Sequence, residues 1–143
     1  IASTSKVTTS FRTHESRFST RAIHDQKEPK QSDERGTPLL HWWPHQGTRE
    51  WVQYDFAEPA RVSAVEVYWY DDRAWGNCRE PESWRILYRD GEAWKPVTGA
   101  SPYGTARDRW HRVTFDPVKT NGLRLEVQLR KGFAAGILEW KVE

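Results

Sequence analysis

The sequence contains no methionine and a single cysteine, Cys78. One thiol excludes an intramolecular disulfide, and a lone free thiol sits best in a core or a sheltered loop. Methionine is absent even at position 1, so we expect a mature product or, preferably, a piece cut from a longer chain. No apolar run is long enough to span a membrane as a helix, and no signal-peptide pattern is present. Nor is there a run of like charge: 22 Lys and Arg are interspersed with 20 Asp and Glu, for a net charge of +2. This excludes the usual electrostatic footprint of a nucleic-acid binder, although a pI near 8.8 leaves room for a local basic patch. We expect no nucleic-acid partner. There is no internal repeat and no helical periodicity of useful length.

What the chain has instead is rings. Hydrophobic residues make up only 36% of its 143 positions, yet aromatics make up 13%, including nine tryptophans. Rings bury large areas at low rotamer cost, and this length suits one domain with a proper core.

The pattern is β throughout. Residues 6–10 read as an edge strand after a Ser/Thr-rich lead. Residues 11–38 have no sustained period and read as a long loop with one helical turn near residues 20–24; a loop of that length is usually functional or clamped. Residues 51–56 and 61–70 alternate as strands, with Val65, Val67 and Trp69 on one face. Residues 84–88 and 93–97 flank an Asp90-Gly91 hairpin signal. Residues 110–115 form a strand that Asp116-Pro117 ends, and Asn121-Gly122 reads as a turn. Leu123, Leu125, Val127 and Leu129 then alternate with Arg124, Glu126, Gln128 and Arg130, one face inward and one in water. Residues 136–142 close the sheet with Leu138, Trp140 and Val142 inward. Short strands separated by turn-rich loops point to a β-sandwich.

Catalytic patterns are missing. There is no nucleophile elbow, phosphate-cradling glycine loop or zinc spacing. The histidines at 14, 24, 41, 45 and 111 are scattered, and Asp71-Asp72 are adjacent loop carboxylates that need not converge. Two other chemistries are open. Asp25 in the early loop and Glu139 in the last strand could tie a hard cation such as calcium to loop carbonyls, or they could be a turn cap and a solvated acid. Two loops mix rings with polar partners in the way sugar recognition needs: Trp42-Trp43-Pro44-His45, and residues 71–79 with Asp72, Arg73, Trp75 and Arg79. One of Trp42 and Trp43 is expected to plug the sandwich, whereas Trp75, between Ala74 and Gly76, is the most loop-like. Trp51, Trp69, Trp84, Trp94 and Trp140 fit core positions.

The runs W-V-Q-Y-D-F, V-S-A-V-E-V-Y-W-Y, W-R-I-L-Y-R-D-G-E-A-W-K-P-V, L-R-L-E-V-Q-L and I-L-E-W-K-V resemble a discoidin-like domain, the coagulation-factor type C, galactose-binding-like fold. The likeness covers nearly the whole chain. More narrowly, W-W-P-H-Q-G-T-R-E-W-V-Q-Y-D-F and C-R-E-P-E-S-W-R are similar to the C-terminal accessory region of bacterial β-L-arabinofuranosidase-like glycoside hydrolases. The resemblance implies an all-β, eight-stranded antiparallel jelly-roll β-sandwich. It implies a structural calcium held by Asp25 and Glu139, with Ser32 as a further ligand, although Gln26 stands where the family usually has glycine. It implies a sugar site on loops at one end, with Arg73 or Arg79 as the ligand-binding arginine, Phe133 as an aromatic platform and His45 as the histidine partner.

The expected function is therefore a non-catalytic carbohydrate-binding module of a secreted, periplasmic or cell-surface bacterial glycoside hydrolase. It would bind a polysaccharide or oligosaccharide, with the parent catalytic domain as its partner in cis. The alternative is a structural accessory domain that packs on that catalytic domain and binds no sugar. A membrane partner is disfavoured, because the loop rings alternate with acids rather than with basic residues.

Overall fold

The computed structural model describes residues 1–11 and 19–143; His14 and residues 12–18 of the expected early loop lie outside them. Among the described residues, seven strands follow one another: β1 (Lys6–Thr9), β2 (Leu40–His41), β3 (Arg49–Tyr70), β4 (Ser83–Asp90), β5 (Ala93–Pro96), β6 (Trp110–Gln128) and β7 (Gly136–Val142). A 3₁₀ helix covers Thr20–His24, where the helical turn was expected. All strand pairs are antiparallel.

The two long strands make the sandwich. The first part of β3, residues 49–55, pairs with β1 and with residues 122–128 of β6, and β4 and β5 continue that layer. The second part, residues 64–70, pairs with residues 110–114 of β6 and with β7, and β2 closes the other layer. Register shifts between Asp55 and Ala60 and between Val62 and Ala64 mark the bend where both strands pass from one layer to the other. Eight strand segments were expected, and the structure joins four of them into two continuous strands and adds the two-residue β2. Asp116-Pro117 and Asn121-Gly122, read as stops, lie instead within β6 at its bend.

The core fills the space between the layers. Val52, Tyr54, Val65, Val67, Trp69, Leu123, Leu125, Val127 and Trp140 are buried there, and each large apolar side chain so placed contributes about 1.5–3 kcal/mol. Tyr54 stacks on Trp140 at 4.1 Å, and its hydroxyl donates to the Trp140 carbonyl at 2.7 Å. A second buried cluster holds Leu39, Tyr68, Tyr70, Cys78, Ala134 and Leu138. Leu138 belongs to this cluster and not to the main core, because the shift between Tyr68 and Trp69 leaves it as an extra residue opposite β3. Trp51 and Trp94 also depart from expectation: both are half-buried and neither joins a core cluster.

Candidate functional site

Three loops meet at one end of the sandwich. The loop at residues 130–135 lies between the other two and is stitched to both. On one side, the Gly47 amide donates to the Phe133 carbonyl at 3.1 Å and the Trp42 amide to the Ala135 carbonyl at 3.1 Å. On the other, the Arg79 amide donates to the Ala134 carbonyl at 3.0 Å, and Cys78 pairs with Ala134 in an isolated parallel bridge. Asn77 ties the same junction with its side chain, donating to the Gly132 carbonyl and accepting from the Ala134 amide, each at 3.2 Å. The two loops singled out in the sequence are thereby brought to one place, with Phe133 between them.

Most of the polar side chains expected to read a ligand hold this junction together. Asp71 is fully buried. Burial alone would raise its pKa, but the Arg73 guanidinium donates to both its oxygens at 3.0 and 2.8 Å and holds the carboxyl well below the usual range. Arg73 also bonds Glu80 at 2.6 Å, so its fork is engaged inside the protein. Asp72 accepts from the Cys78 amide at 2.8 Å and from the Tyr70 hydroxyl at 3.3 Å, while its carbonyl accepts from the Trp75 and Gly76 amides. A Cβ on Gly76 would stand 2.1 Å from the Asp72 carboxylate, which is why the turn takes glycine. His45 stacks on Phe11 at 4.0 Å and lies 3.2 Å from the buried Glu50, which also accepts from Ser10 and Thr48.

The tryptophan pair divides as expected. Trp42 is fully buried, and its indole N–H donates to Thr9 at 3.0 Å. Its inclusion among ligand-binding residues is corrected here, since a ring with no exposed face cannot stack on a sugar. Trp43, joined to Pro44 by a cis peptide, is 50% exposed, and Trp75 is 44% exposed. Arg35 lies 4.1 Å from the Trp75 ring centroid, and Arg79 lies 4.8 Å from that of Phe133. Arg79 otherwise donates to the carbonyls of Gly76 and Cys78, both at 2.9 Å. The junction thus offers Trp43, Trp75 and Phe133, two of them backed by guanidiniums, on a scaffold whose charges are paired internally. Asn77 and Arg35 were not among the expected site residues. The sequence signal for Asn77 was its place in the Trp75 loop; Arg35 had none.

Among the described residues at this end, neither Cys78 nor Asp71 is activated for covalent chemistry. Burial, reinforced by Asp72 and Asp71, pushes the Cys78 thiol pKa far up, so it stays protonated, and Asp71 is engaged by Arg73.

Two of the expected metal ligands, Asp25 and Glu139, lie near each other. Glu139 is buried and accepts from the Gln26 amide at 3.2 Å through Oε1, while Oε2 has no hydrogen-bond partner. Burial first, then the nearby Asp25 charge, push its pKa up to about 8. Asp25 ends the 3₁₀ helix and accepts from the Lys27 amide at 2.9 Å. An unpaired buried carboxylate beside a second carboxylate fits a hard cation, which would supply the missing partner. Among the described residues no group of three or more acidic, histidine or cysteine side chains gathers here, so carbonyls would have to complete the set. Ser32, the third expected ligand, is engaged by Asp108: its hydroxyl accepts from the Asp108 amide, and its own amide donates to the Asp108 carboxylate, both at 2.7 Å.

A family model described as the F5/8 type C domain matches residues 4–140. Among solved structures, the chain is similar to one of the Streptococcus pneumoniae beta-galactosidase, at 16% identity and TM-score 0.78, covering 95% of this chain and 89% of that one. A Clostridium perfringens module in complex with GalNAc-beta-1,3-galactose matches at 14% identity and TM-score 0.72, over 99% of this chain and 96% of that one. A Ruminococcus gnavus fucosidase in complex with fucose matches at 11% identity and TM-score 0.66, over 97% of this chain but 25% of that one. At these identities the likeness is one of fold.

Proposed function

This chain belongs to the F5/8 type C domain family, and from that premise we propose that it is a non-catalytic carbohydrate-binding module of a larger secreted, periplasmic or cell-surface bacterial glycoside hydrolase. The observation that carries the reading is the loop junction, where Trp75 and Phe133 stand exposed or half-exposed beside Arg35, Arg79 and Asn77 on an internally satisfied frame. A sugar ring stacks its apolar face on an indole or phenyl, and nearby N–H donors orient its hydroxyls. Binding by one or two rings is weak. Its use is to raise the concentration of an attached catalytic domain on a polysaccharide. The similarity to a module solved with a disaccharide, and to a fucosidase of which this fold covers a quarter, supports both parts of the reading.

Calcium has a structural role in this account. Asp25 and Glu139 with loop carbonyls would hold it, and its charge would offset that of the buried Glu139 carboxylate and tie the early loop to β7.

Titration of plant and bacterial polysaccharides, followed by tryptophan fluorescence, tests the function. Wild type is expected to respond to at least one glycan and Trp75→Ala to lose the response. Silence towards all of them, with tight association to the parent catalytic domain, would favour the structural-accessory reading instead.

A further inference from the structure

The outer face of the layer formed by β1, β4, β5 and parts of β3 and β6 carries a second ring-and-guanidinium array, separate from the loop junction. In register, Trp51 faces Glu126, Gln53 faces Arg124 and Asp55 faces Gly122 between β3 and β6, while Arg89 of β4 faces Trp94 of β5. These side chains lie outward, because their neighbours Val52, Tyr54, Leu123 and Leu125 fill the core. The Arg124 guanidinium lies 4.2 Å from the Trp51 ring centroid and 4.5 Å from that of Trp94, and Arg89 lies 4.7 Å from Trp94. Trp94 reaches this far because Gly122 has no side chain: a Cβ there would stand 3.3 Å from the indole. Gln53 Oε1 accepts two bonds from Arg124, at 3.1 and 2.6 Å, so the cation is fixed by two rings and an amide.

Glu126 and Asp55 lie near enough to favour the Arg124 charge, but neither is in salt-bridge contact with it. Among the described residues no carboxylate pairs with it: Asp55 pairs with Arg89, and Glu126 is shared by Arg49 at 3.7 Å and Arg85 at 3.0 Å. The network therefore holds four guanidiniums against two carboxylates. Burial and the like charge of Arg89 both press against the Arg124 cation, which an outside anion would relieve. Protein interfaces share the Trp and Arg of this face but are depleted of Asp and Glu, both of which it keeps beside its two rings. A hydrated, ring-built anion suits it better than a protein surface does.

We propose that this face is a second binding surface, for a polysaccharide of uronic acids. Arg124 takes a sugar carboxylate through its fixed guanidinium, and Trp51 and Trp94 take the apolar faces of adjoining rings. The site is independent of the loop junction, so either can fail while the other stands.

Affinity electrophoresis in gels of polygalacturonate, its fully methyl-esterified form and neutral galactan tests it at low salt. Wild type is expected to be retarded by polygalacturonate, to run free when the carboxylates are esterified, and to lose retardation as salt rises. Arg124→Gln is expected to weaken binding at least about tenfold, the loss of one charge-assisted contact, while Arg112→Gln, which removes a guanidinium from the other layer, leaves it unchanged. Should Arg124→Gln not fold, the wild-type indole N–H signals decide: trigalacturonate shifts those of Trp51 and Trp94 and leaves that of Trp75 in place. No retardation of wild type, equal retardation by the ester, or shifts confined to Trp75 would overturn the proposal and leave the face to a protein neighbour.

Discussion

Asp71 and Glu139 are both buried carboxylates, 0% and 2% exposed, and the structure treats them in opposite ways. Asp71 sits under the Arg73 fork, and its pKa is driven down; Glu139 has one backbone amide and an unpaired oxygen, and its pKa is driven up to about 8. Burial is the same, so partners decide the charge state. The loop junction around Asp71 asks nothing of its surroundings electrostatically and offers only ring faces and a few N–H groups outward. The Glu139 corner is incomplete without a cation or a proton.

Removing the fork should show the largest effect. Arg73→Ala leaves the buried Asp71 with the Arg107 guanidinium at 3.6 Å and two backbone amides but without its fork, and breaking a buried pair typically costs 3–5 kcal/mol. With the Arg73 side chain 41% exposed, we expect about 3 kcal/mol in chemical denaturation. A loss under about 1 kcal/mol would mean that Asp71 is solvated despite its burial.

The opposite intervention belongs at the other carboxylate. Calcium at a hundredfold excess over its dissociation constant should stabilise wild type by about 2.7 kcal/mol, read as a rise in thermal midpoint that a chelator reverses. Glu139→Gln should abolish that rise while itself leaving the metal-free protein no less stable. A calcium response that survives Glu139→Gln would move the ion elsewhere.

Acid sharpens the contrast further, with a smaller effect. Asp71 has a folded pKa below its unfolded value of about 3.9. Its stabilisation is thus fully present above that unfolded value and is lost as pH falls through the folded one. Wild type should lose stability steeply below about pH 4, and Arg73→Ala, keeping only the longer Arg107 pair at 3.6 Å, should lose less over the same interval. Parallel curves would contradict the pairing.

The β-sandwich was legible because period-2 alternation survives in a single sequence: Leu123, Leu125 and Val127 are buried where their spacing placed them, and the Thr20–His24 turn is present. What alternation cannot report is continuity through a bend. Asn121-Gly122 carries turn chemistry, yet β6 runs through it because Gly122 pairs with Asp55 of β3. Nor could it separate a core ring from a ring on the outer face covered by arginine, which is how Trp51 and Trp94 were misplaced. At the junction, residue types pointed to the right loops, but roles depended on partners distant in sequence. Asp72 and Arg73 hold the frame, His45 belongs to Glu50, and Arg35 reaches Trp75 from a segment with no pattern at all.

The central claim is that the junction is a preformed sugar platform whose rings do the binding while its charges do the holding. Calorimetric titration of Trp75→Ala and Phe133→Ala with the glycan that wild type binds tests it most directly. We predict that each variant loses at least about tenfold in affinity, the equivalent of 1.4 kcal/mol, with its thermal midpoint essentially unchanged. Wild-type affinity in both variants would contradict the account.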